Sequence, residues 1–268
     1  MDKKLGFIGI GNMGSAILGG VVKAKLFSAQ NITVYDINEN TIQNISKEYD
    51  IVTASSNKHV AESSDIIFLC IKPHIYETVI LEIKDIVKKD AIIVAIAAGQ
   101  SLEALHSQFN EGTKIIRAMP NTPLLVSCGM TALCPGDNLS RIETENILAI
   151  FSSLGRAQIL EEHLFDAFTG IAGSSPAYAF IFIDALADAG VKYGLSRKQS
   201  LEFSAQTLMG AAKMLLETGE HPAALKDAVC SPGGATIEAV AALEYSGFRA
   251  SILDAVSACI EKSIKMTI

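Results

Sequence analysis

The stretch LGFIGIGNMG, residues 5–14, joins a short apolar run to the glycine pattern Gly-x-Gly-x-x-Gly. An apolar run followed by this turn and then by helix-forming sequence is typical of the first βαβ unit of a dinucleotide-binding fold. There Gly9 permits the tight turn, Gly11 lets the backbone approach a pyrophosphate, and Gly14 permits close packing of helix on strand. The helix N-terminus adds N–H groups for the anion. The pattern therefore predicts nucleotide binding; the alternative is a purely structural turn.

Asp36 ends the next apolar run along the chain. A carboxylate at this place accepts hydrogen bonds from the ribose 2′-hydroxyl of NAD and repels the 2′-phosphate of NADP. Residues 37–40 contain no Lys or Arg that would hold such a phosphate. We therefore expect NADH or NADPH as the cofactor, with NADH favoured. An ordinary Asp that caps the following helix is the alternative.

Further apolar runs alternate with segments of helical periodicity in the first half of the chain. The runs are continuous, as in a sheet that helices cover on both faces. Alternating strands and helices predict an α/β fold with a Rossmann-type, doubly wound parallel sheet. The predicted strands are Leu5–Ile10, Ile32–Asp36, Ile66–Ile71, Ala91–Ala97 and Lys114–Met119, and two further runs at Gly129–Cys134 and Ala157–Leu160 could extend the sheet.

Beyond about residue 161 the sequence becomes rich in Ala, Leu and Met, and no further strand is predicted. Breaks at 173–176, 194–196, 219–222, 231–234 and 246–247 divide it into helices. These helices carry apolar or small residues on more than one side, which favours burial against a second subunit, although a helix buried within one subunit has the same pattern. We expect a dinucleotide-binding domain over residues 1–161 and an all-helical dimerisation and substrate-binding domain over 162–268.

Composition excludes several functional classes. The chain has 268 residues, of which 49% are hydrophobic and 19% charged, as in a globular protein of one or two domains. A net charge of −7 disfavours nucleic-acid binding. Five cysteines without CxxC spacing indicate reduced thiols, and no metal site is expected. With no signal peptide and no apolar stretch long enough for a membrane span, we expect a cytoplasmic protein.

The segment SPGGAT at 231–236 breaks a local rule. Ser231 and Pro232 suit a helix start, yet two glycines in the turn that follows would each cost about 1 kcal/mol relative to Ala. The conflict suggests that a ligand approaches this backbone closely, and an exposed helix N-terminus suits a carboxylate. The Thr236 hydroxyl could donate a hydrogen bond to the same ligand. A glycine pair that permits helix–helix contact is an equally good interpretation.

Motifs along the whole chain resemble those of the pyrroline-5-carboxylate reductases, which catalyse the last step of proline biosynthesis. They are GFIGIGNMG at 6–14, FLCIKPH at 68–74, AAG at 97–99, AMPNTP at 118–123, GSSPAYAFIFIDALADAGVKYGL at 173–195 and HPAALKDAVCSPGGATI at 221–237. Two positions depart from the family pattern. Ser175 replaces the second Gly of GSGPAY, which puts the approach of that backbone to a ligand in doubt. Ala235 replaces the first Thr of SPGGTT and removes one hydroxyl.

The resemblance implies hydride transfer from NAD(P)H to the cyclic imine Δ1-pyrroline-5-carboxylate, and a homodimer or a decamer built from dimers. Thr236 is the candidate catalytic donor to the imine nitrogen. The expected substrate contacts are Ser231, Gly233, Gly234, Ala235, Thr236 and Met119. The expected cofactor contacts are Ile8, Gly9, Ile10, Gly11, Asn12, Met13, Gly14, Asp36, Asn57, Cys70, Ile71, Lys72, Pro73, Ala97, Ala98, Gly99 and Asn121. The active site should form where the two glycine-rich helix starts face each other.

Two other functions compete with this reading. A 3-hydroxyacid dehydrogenase of the 6-phosphogluconate type needs a helix-borne catalytic Lys after a Gly-rich segment, but here no Lys follows until Lys192. A nucleotide-binding regulator without catalytic activity is disfavoured by the intact segment 231–236. We expect Lys72 and His74 to shape the cofactor cleft rather than form an acid/base pair. Tyr178 and Lys192 are expected in core packing and on a solvated face.

Overall fold

The computed structural model describes residues 3–96 and 99–266. The chain forms two compact units. The first comprises Met1–Gly173 together with Ile260–Ile268, and the second is Ser174–Cys259. Ala97 and Ala98, two of the expected cofactor contacts, lie outside the described residues.

The first unit is built on one eight-stranded sheet in its described part. The strands are β1 (Leu5–Ile8), β2 (Ile32–Tyr35), β3 (Val52–Thr53), β4 (Ile66–Leu69), β5 (Ile92–Ala95), β6 (Lys114–Pro120), β7 (Gly129–Pro135) and β8 (Gly155–Ile159). Their order is β3-β2-β1-β4-β5-β6-β7-β8. The five principal predicted strands and the two extensions are confirmed. The sequence missed β3, which is only two residues long, and the antiparallel pairing of β6 with β7.

Helices cover both faces of this sheet. They are α1 (Asn12–Lys23), α2 (Glu39–Tyr49), α3 (Asn57–Ser63), α4 (Tyr76–Ile83), α5 (Leu102–Gln108), α6 (Arg141–Ser152) and the short α7 (Phe165–Phe168), which runs into a π-turn at Thr169–Gly173. Apolar residues of α1, α2 and α6 belong to one buried cluster, and those of α3, α4 and α5 to a second. Along β4, Ile66 and Phe68 enter the first cluster and Ile67 and Leu69 the second. The predicted strands were continuously apolar because each face of the sheet has its own core.

The order of the strands places a crevice next to the glycine loop. β1 pairs with β2 on one side and with β4 on the other, all three parallel. The chain therefore continues from β1 to β2 on one side of the sheet, and from β4 to β5 on the other side. In open α/β sheets, ligands bind at such a switch point, outside the carboxyl ends of the strands.

The second unit is helical throughout. Its helices are α8 (Ser175–Lys192), α9 (Arg197–Thr218), α10 (Pro222–Val229), α11 (Ala235–Tyr245) and most of α12 (Phe248–Ile264). Ser196 and Gln199 form a capping box at the start of α9, and Gly219 ends that helix in the left-handed conformation. The predicted breaks separate these helices. The first break is the weakest, since the chain passes from the π-turn through Ser174 into α8 without a side-chain cap.

The second unit buries little of its apolar surface. Its buried residues, within the described part of the chain, are Ala187, Ser200 and Ser204, all small. Phe180 and Ile181 of α8 are exposed by 65% and 70%. Unpaired apolar surface of this kind is typical of an interface.

One helical segment corrects an expectation about membranes. Residues Glu162–Lys192 are long and apolar enough to cross a membrane by length and composition alone. The expectation that the chain has no such stretch is therefore wrong. A single segment of this kind is weak evidence for a span, because helices that pack in soluble proteins pass the same test.

Candidate functional site

A cleft of about 670 Å³ opens at the carboxyl ends of the strands in the first unit. Its walls are the segments that follow β1, β2, β4 and β5, together with Asn57 at the start of α3. The cleft therefore lies at the switch point. A pocket of this size and place suits a dinucleotide or a part of one.

The three glycines of the loop have three different surroundings. Gly9 has a φ of +87°, and a Cβ there would come within 2.7 Å of the Cys70 carbonyl oxygen. A Cβ on Gly14 would strike the carbonyl oxygen of Gly9 and lie 3.0 Å from the Cβ of Cys70. No atom lies within 4 Å of where a Cβ on Gly11 would be. The loop is thus closed on its inner side at Gly9 and Gly14 and open to a ligand at Gly11.

The start of α1 faces this open side. Gly11 is the N-cap residue and provides no side-chain hydrogen bond to the helix. The N–H groups of the first turn are therefore available to an anion, and the helix dipole favours one. These residues fit a pyrophosphate.

Asp36 fastens the glycine loop to the end of β2. Its carboxylate accepts hydrogen bonds from the backbone N–H of Ile10 at 2.8 Å and of Asn38 at 2.9 Å. Each oxygen keeps lone pairs for a ligand, and Asp36 lines the cleft. The alternative role as a helix cap is wrong, because the side chain that caps α2 is that of Asn38.

Tyr76 is a residue that the sequence did not single out. Its buried hydroxyl donates to the Leu69 carbonyl at 2.7 Å and accepts from the Ile96 N–H at 3.1 Å. It thereby joins the chain at the ends of β4 and β5, beside the cleft. Nearby, burial raises the pKa of the Cys70 thiol, which lines the cleft as a neutral group.

Most of the expected cofactor contacts come together in this cleft. Those that line it are Ile8, Gly9, Gly11, Asn12, Met13, Asp36, Asn57, Cys70, Ile71, Lys72 and Pro73. Pro120 of the motif at 118–123 also lines it, and further lining residues that the sequence missed are Tyr35, Ile37, Ile75, Val79 and Ile96. They are mostly apolar and follow strand ends, so only the sheet order could reveal them. Ile10, Gly14 and Gly99 do not line it.

Asn121 and Met119 lie in packed surroundings instead. The amide of Asn121 is buried; it donates to the Ala172 carbonyl at 2.9 Å and accepts from the Met130 N–H at 2.9 Å. Its side chain therefore ties β7 to the π-turn and does not line the cleft. Met119 packs in a small buried cluster with Ala132 and Phe165.

In the second unit, residues Ser231–Gly234 form a turn. The Gly234 N–H donates to the Ser231 carbonyl at 3.0 Å, and Gly233 has a φ of +66°. Pro followed by a residue with positive φ is the pattern of a type II turn. A Cβ on Gly234 would strike the Ser231 hydroxyl, which can rotate away, and would lie 3.1 Å from the Ser231 carbonyl oxygen.

This turn corrects the expected start of the helix. α11 begins at Ala235 with Gly234 as its N-cap, not at Pro232 after Ser231. The glycines precede the helix and therefore do not weaken its first turn. Within the described part of this chain, no atom lies within 4 Å of where a Cβ on Gly233 would be.

The start of α11 is open. Gly234 provides no side-chain cap, and Ala235 and Thr236 are exposed. The Thr236 hydroxyl has no hydrogen-bond partner among the residues that the structure describes. The arrangement offers backbone N–H groups and one hydroxyl to a carboxylate ligand. Within residues 3–96 and 99–266, no cluster of His, Cys, Asp and Glu could hold a metal ion.

Comparison with known proteins assigns both units. A family model described as pyrroline-5-carboxylate reductase dimerisation matches residues 162–266, and one described as NADP oxidoreductase, coenzyme F420-dependent, matches residues 4–99. The pyrroline-5-carboxylate reductase of Escherichia coli (strain K12) is 47% identical over 267 residues, which cover 100% of this chain and 99% of that protein. The chain belongs to the pyrroline-5-carboxylate reductase family.

Solved structures of the family agree over the full length. The pyrroline carboxylate reductase of Plasmodium falciparum with NADP bound matches with a TM-score of 0.90 at 34% identity, covering 100% of this chain and 99% of that one. The enzyme of Coxiella burnetii matches with a TM-score of 0.94 at 27% identity, covering 100% of both chains. The predicted Rossmann-type sheet followed by a helical dimerisation domain is confirmed.

Proposed function

We propose that this protein reduces Δ1-pyrroline-5-carboxylate to L-proline with hydride from NAD(P)H. The observation that carries the proposal is the 47% identity to a pyrroline-5-carboxylate reductase over the whole chain. The reaction needs a site for a dinucleotide and a site for a small carboxylated ring. The cleft around Gly11 suits the first, and the start of α11 suits the second.

The residues of the second unit would bind and polarise the imine. The first-turn N–H groups of α11 hold the substrate carboxylate, and Ser231, Gly233 and Gly234 shape the turn that leaves them open. The Thr236 hydroxyl donates a hydrogen bond to the imine nitrogen, which takes up one proton from solvent as the carbon accepts hydride, so that no negative charge builds up on the nitrogen. Ala235 is adjacent to the ring, and Met119 is the proposed contact from the first unit.

The residues of the first unit would hold the cofactor. Reduced nicotinamide, when bound, supplies the hydride. Gly9–Gly14 and the start of α1 hold the pyrophosphate, Asp36 and Asn57 face the adenosine ribose, and Cys70–Pro73 form the opposite wall. Ala97, Ala98, Gly99 and Asn121 are proposed contacts by resemblance alone, Asn121 through its backbone.

We also propose a coenzyme preference, an oligomeric state, domain bounds and a cellular location. Asp36 favours NADH over NADPH, since its carboxylate repels a 2′-phosphate. The helical domain, residues 162–268, forms a homodimer that can assemble into a decamer, and residues 1–161 form the dinucleotide-binding domain. The enzyme works in the cytoplasm, without nucleic acid or membrane.

The test follows the oxidation of NADH and of NADPH with Δ1-pyrroline-5-carboxylate as the substrate. We expect turnover with this imine and none with 3-hydroxyacids in the reverse direction. Oxidation of 3-hydroxyacids would instead identify a dehydrogenase. Folded protein that binds the dinucleotide but turns over neither substrate would instead indicate a nucleotide-binding regulator without catalytic activity.

Thr236 can be tested in the same assay. Thr236→Ala removes the hydroxyl and should lower kcat/KM for the imine by about 10- to 100-fold, the usual effect of losing a hydrogen bond to a charged group. Thr236→Ser keeps the hydroxyl and should retain most activity. An Ala variant with unchanged kcat/KM would remove Thr236 from the mechanism.

A further inference from the structure

Asn57 lines the cleft, and its side-chain amide is oriented by a hydrogen bond to a residue that does not line the cleft. Its Nδ2 donates to Glu82 Oε2 of α4 at 2.8 Å, and Glu82 does not line the cleft. A carboxylate accepts hydrogen bonds and cannot donate them, so the amide group that faces Glu82 must be the NH2. The NH2 group keeps one further N–H, while Oδ1, on the side of the amide away from Glu82, accepts from no described residue.

The position of Asn57 places it near the ribose end of the cleft. It starts the helix that follows β3, and β3 pairs with β2, the strand that Asp36 follows. Asp36 and Asn57 both line the cleft. In dinucleotide-binding sheets, the residue at the end of the second strand meets the adenosine ribose. Asn57 follows the strand that pairs with the one Asp36 follows.

The charged residues that line the cleft favour a hydroxyl over a phosphate at this end, and Lys58, which follows Asn57 on α3, does not line it. Asp36 and Glu82 are both carboxylates, and the one cation among the residues that line the cleft is Lys72. Lys72 follows β4, which is separated from β2 by β1. A 2′-phosphate needs donors and positive charge, whereas a 2′-hydroxyl can donate to Asn57 Oδ1.

We propose that Glu82 is a positioning residue for coenzyme choice: it binds the NH2 group of Asn57 and so turns the acceptor oxygen of this amide toward the ribose. The proposal rests on the cleft being the dinucleotide site of the proposed function. Without Glu82 the amide can turn and donate its N–H to a 2′-phosphate.

The experiment measures the Kd of NAD+ and of NADP+ by calorimetry, without the imine. Glu82→Ala should shift the ratio of the two constants toward NADP+ by about tenfold, the effect of one hydrogen bond to a charged group. Glu82→Gln keeps an oxygen acceptor for Asn57 and should stay within about threefold of the wild type, a margin for the lost surface charge. Glu77→Ala removes the same charge from an exposed position of the same helix that does not line the cleft, and should change the ratio by less than about twofold.

A double-variant cycle separates orientation from charge. In an Asn57→Ala background, the further change Glu82→Ala should move the ratio by less than about twofold, because the effect passes through Asn57. An unchanged ratio in Glu82→Ala, an equal shift in Glu82→Gln, or a full shift without Asn57 would each overturn the proposal.

The outcome is distinct from that of the proposed function. Wild-type protein that binds either dinucleotide but does not reduce the imine would refute the proposed function. The ratio of the Kd values for NAD+ and NADP+ would still test the role of Glu82. Folded wild-type protein that binds neither dinucleotide would refute both.

Discussion

At the scale of single residues, Asp36 does two things that the sequence could not separate. Its position at the end of β2 indicated a contact with the ribose. The structure adds that the same carboxylate accepts from the Ile10 N–H, in the middle of the glycine loop. Asp36 therefore shapes the glycine loop, in addition to its proposed contact with the ribose.

This double role leads to a prediction for Asp36→Asn. The variant loses the negative charge and one acceptor oxygen, so kcat/KM with NADH should fall by about tenfold. The loss with NADPH should be smaller, because the repulsion of the 2′-phosphate falls as well. Steady-state kinetics with both coenzymes measures the two effects.

The matched control for that measurement is Asp50→Asn at the end of α2. Asp50 is exposed and does not line the cleft, and its left-handed conformation tolerates Asn. This variant should resemble the wild type. Equal losses with both coenzymes in Asp36→Asn would leave Asp36 with a loop-shaping role alone.

At the scale of secondary-structure elements, Glu143 joins the start of α6 to the start of β6. Its carboxylate accepts from Lys114 Nζ at 2.7 Å and from the Ser140 N–H at 2.9 Å. Burial acts to raise the pKa of Glu143, but the bonds from Lys114 and Ser140 outweigh it and lower the pKa to about 2. A carboxyl whose pKa falls on folding stabilises the protein at pH values above its unfolded pKa.

The free energy of unfolding should depend on pH through the ion pair of Glu143 with Lys114. The contribution of Glu143 should be complete above pH 4.5, the ordinary value, and should be lost as the pH falls toward about 2. Glu143→Gln should lower the free energy of unfolding by about 1 kcal/mol at pH 7, since Gln keeps the capping box but not the ion pair. The difference between the variant and the wild type should vanish near pH 2.

Glu145→Gln is the control on the same helix. Its partner, Arg141, is 89% exposed, and exposed pairs contribute little. Denaturant unfolding across the pH range measures all three proteins. A Glu143→Gln difference that persists unchanged to pH 2 would show that the charge of Glu143 is not its cause.

At the scale of the whole molecule, the second unit needs a partner for its apolar surface. Phe180, Ile181 and Leu253 are exposed, and the match to the dimerisation family covers all three. Such surface is stabilised when another subunit covers it.

The prediction concerns the oligomeric state. Ile181→Glu should shift the protein toward the monomer at micromolar concentration, because a charge in an apolar interface loses its hydration. Leu81→Glu on α4 changes an apolar residue of similar exposure outside the dimerisation region and should not. Sedimentation velocity measures the distribution. Wild-type protein that sediments as a monomer would contradict the assignment of this surface.

Short-range patterns predicted much of this protein. The apolar runs, the glycine loop at 9–14 and the helix breaks at 194–196 and 219–222 were readable because backbone sterics and burial periodicity act over a few residues. The two-residue β3 was not, since it carries no periodic pattern. Nor was the helix start at Ala235, because Ser231 and Pro232 suit a turn as well as a helix.

What the sequence by itself determined, then, is most of the elements and the residues that we propose as contacts of the phosphates and the substrate carboxylate. Only the tertiary structure decided which side chains hold them in place. Asp36 reaches Ile10, Tyr76 reaches Leu69 and Ile96, and Glu82 reaches Asn57. These bonds depend on the order of the strands, which brings the ends of β2, β4 and β5 to one edge of the sheet. No local pattern in the chain encodes that order.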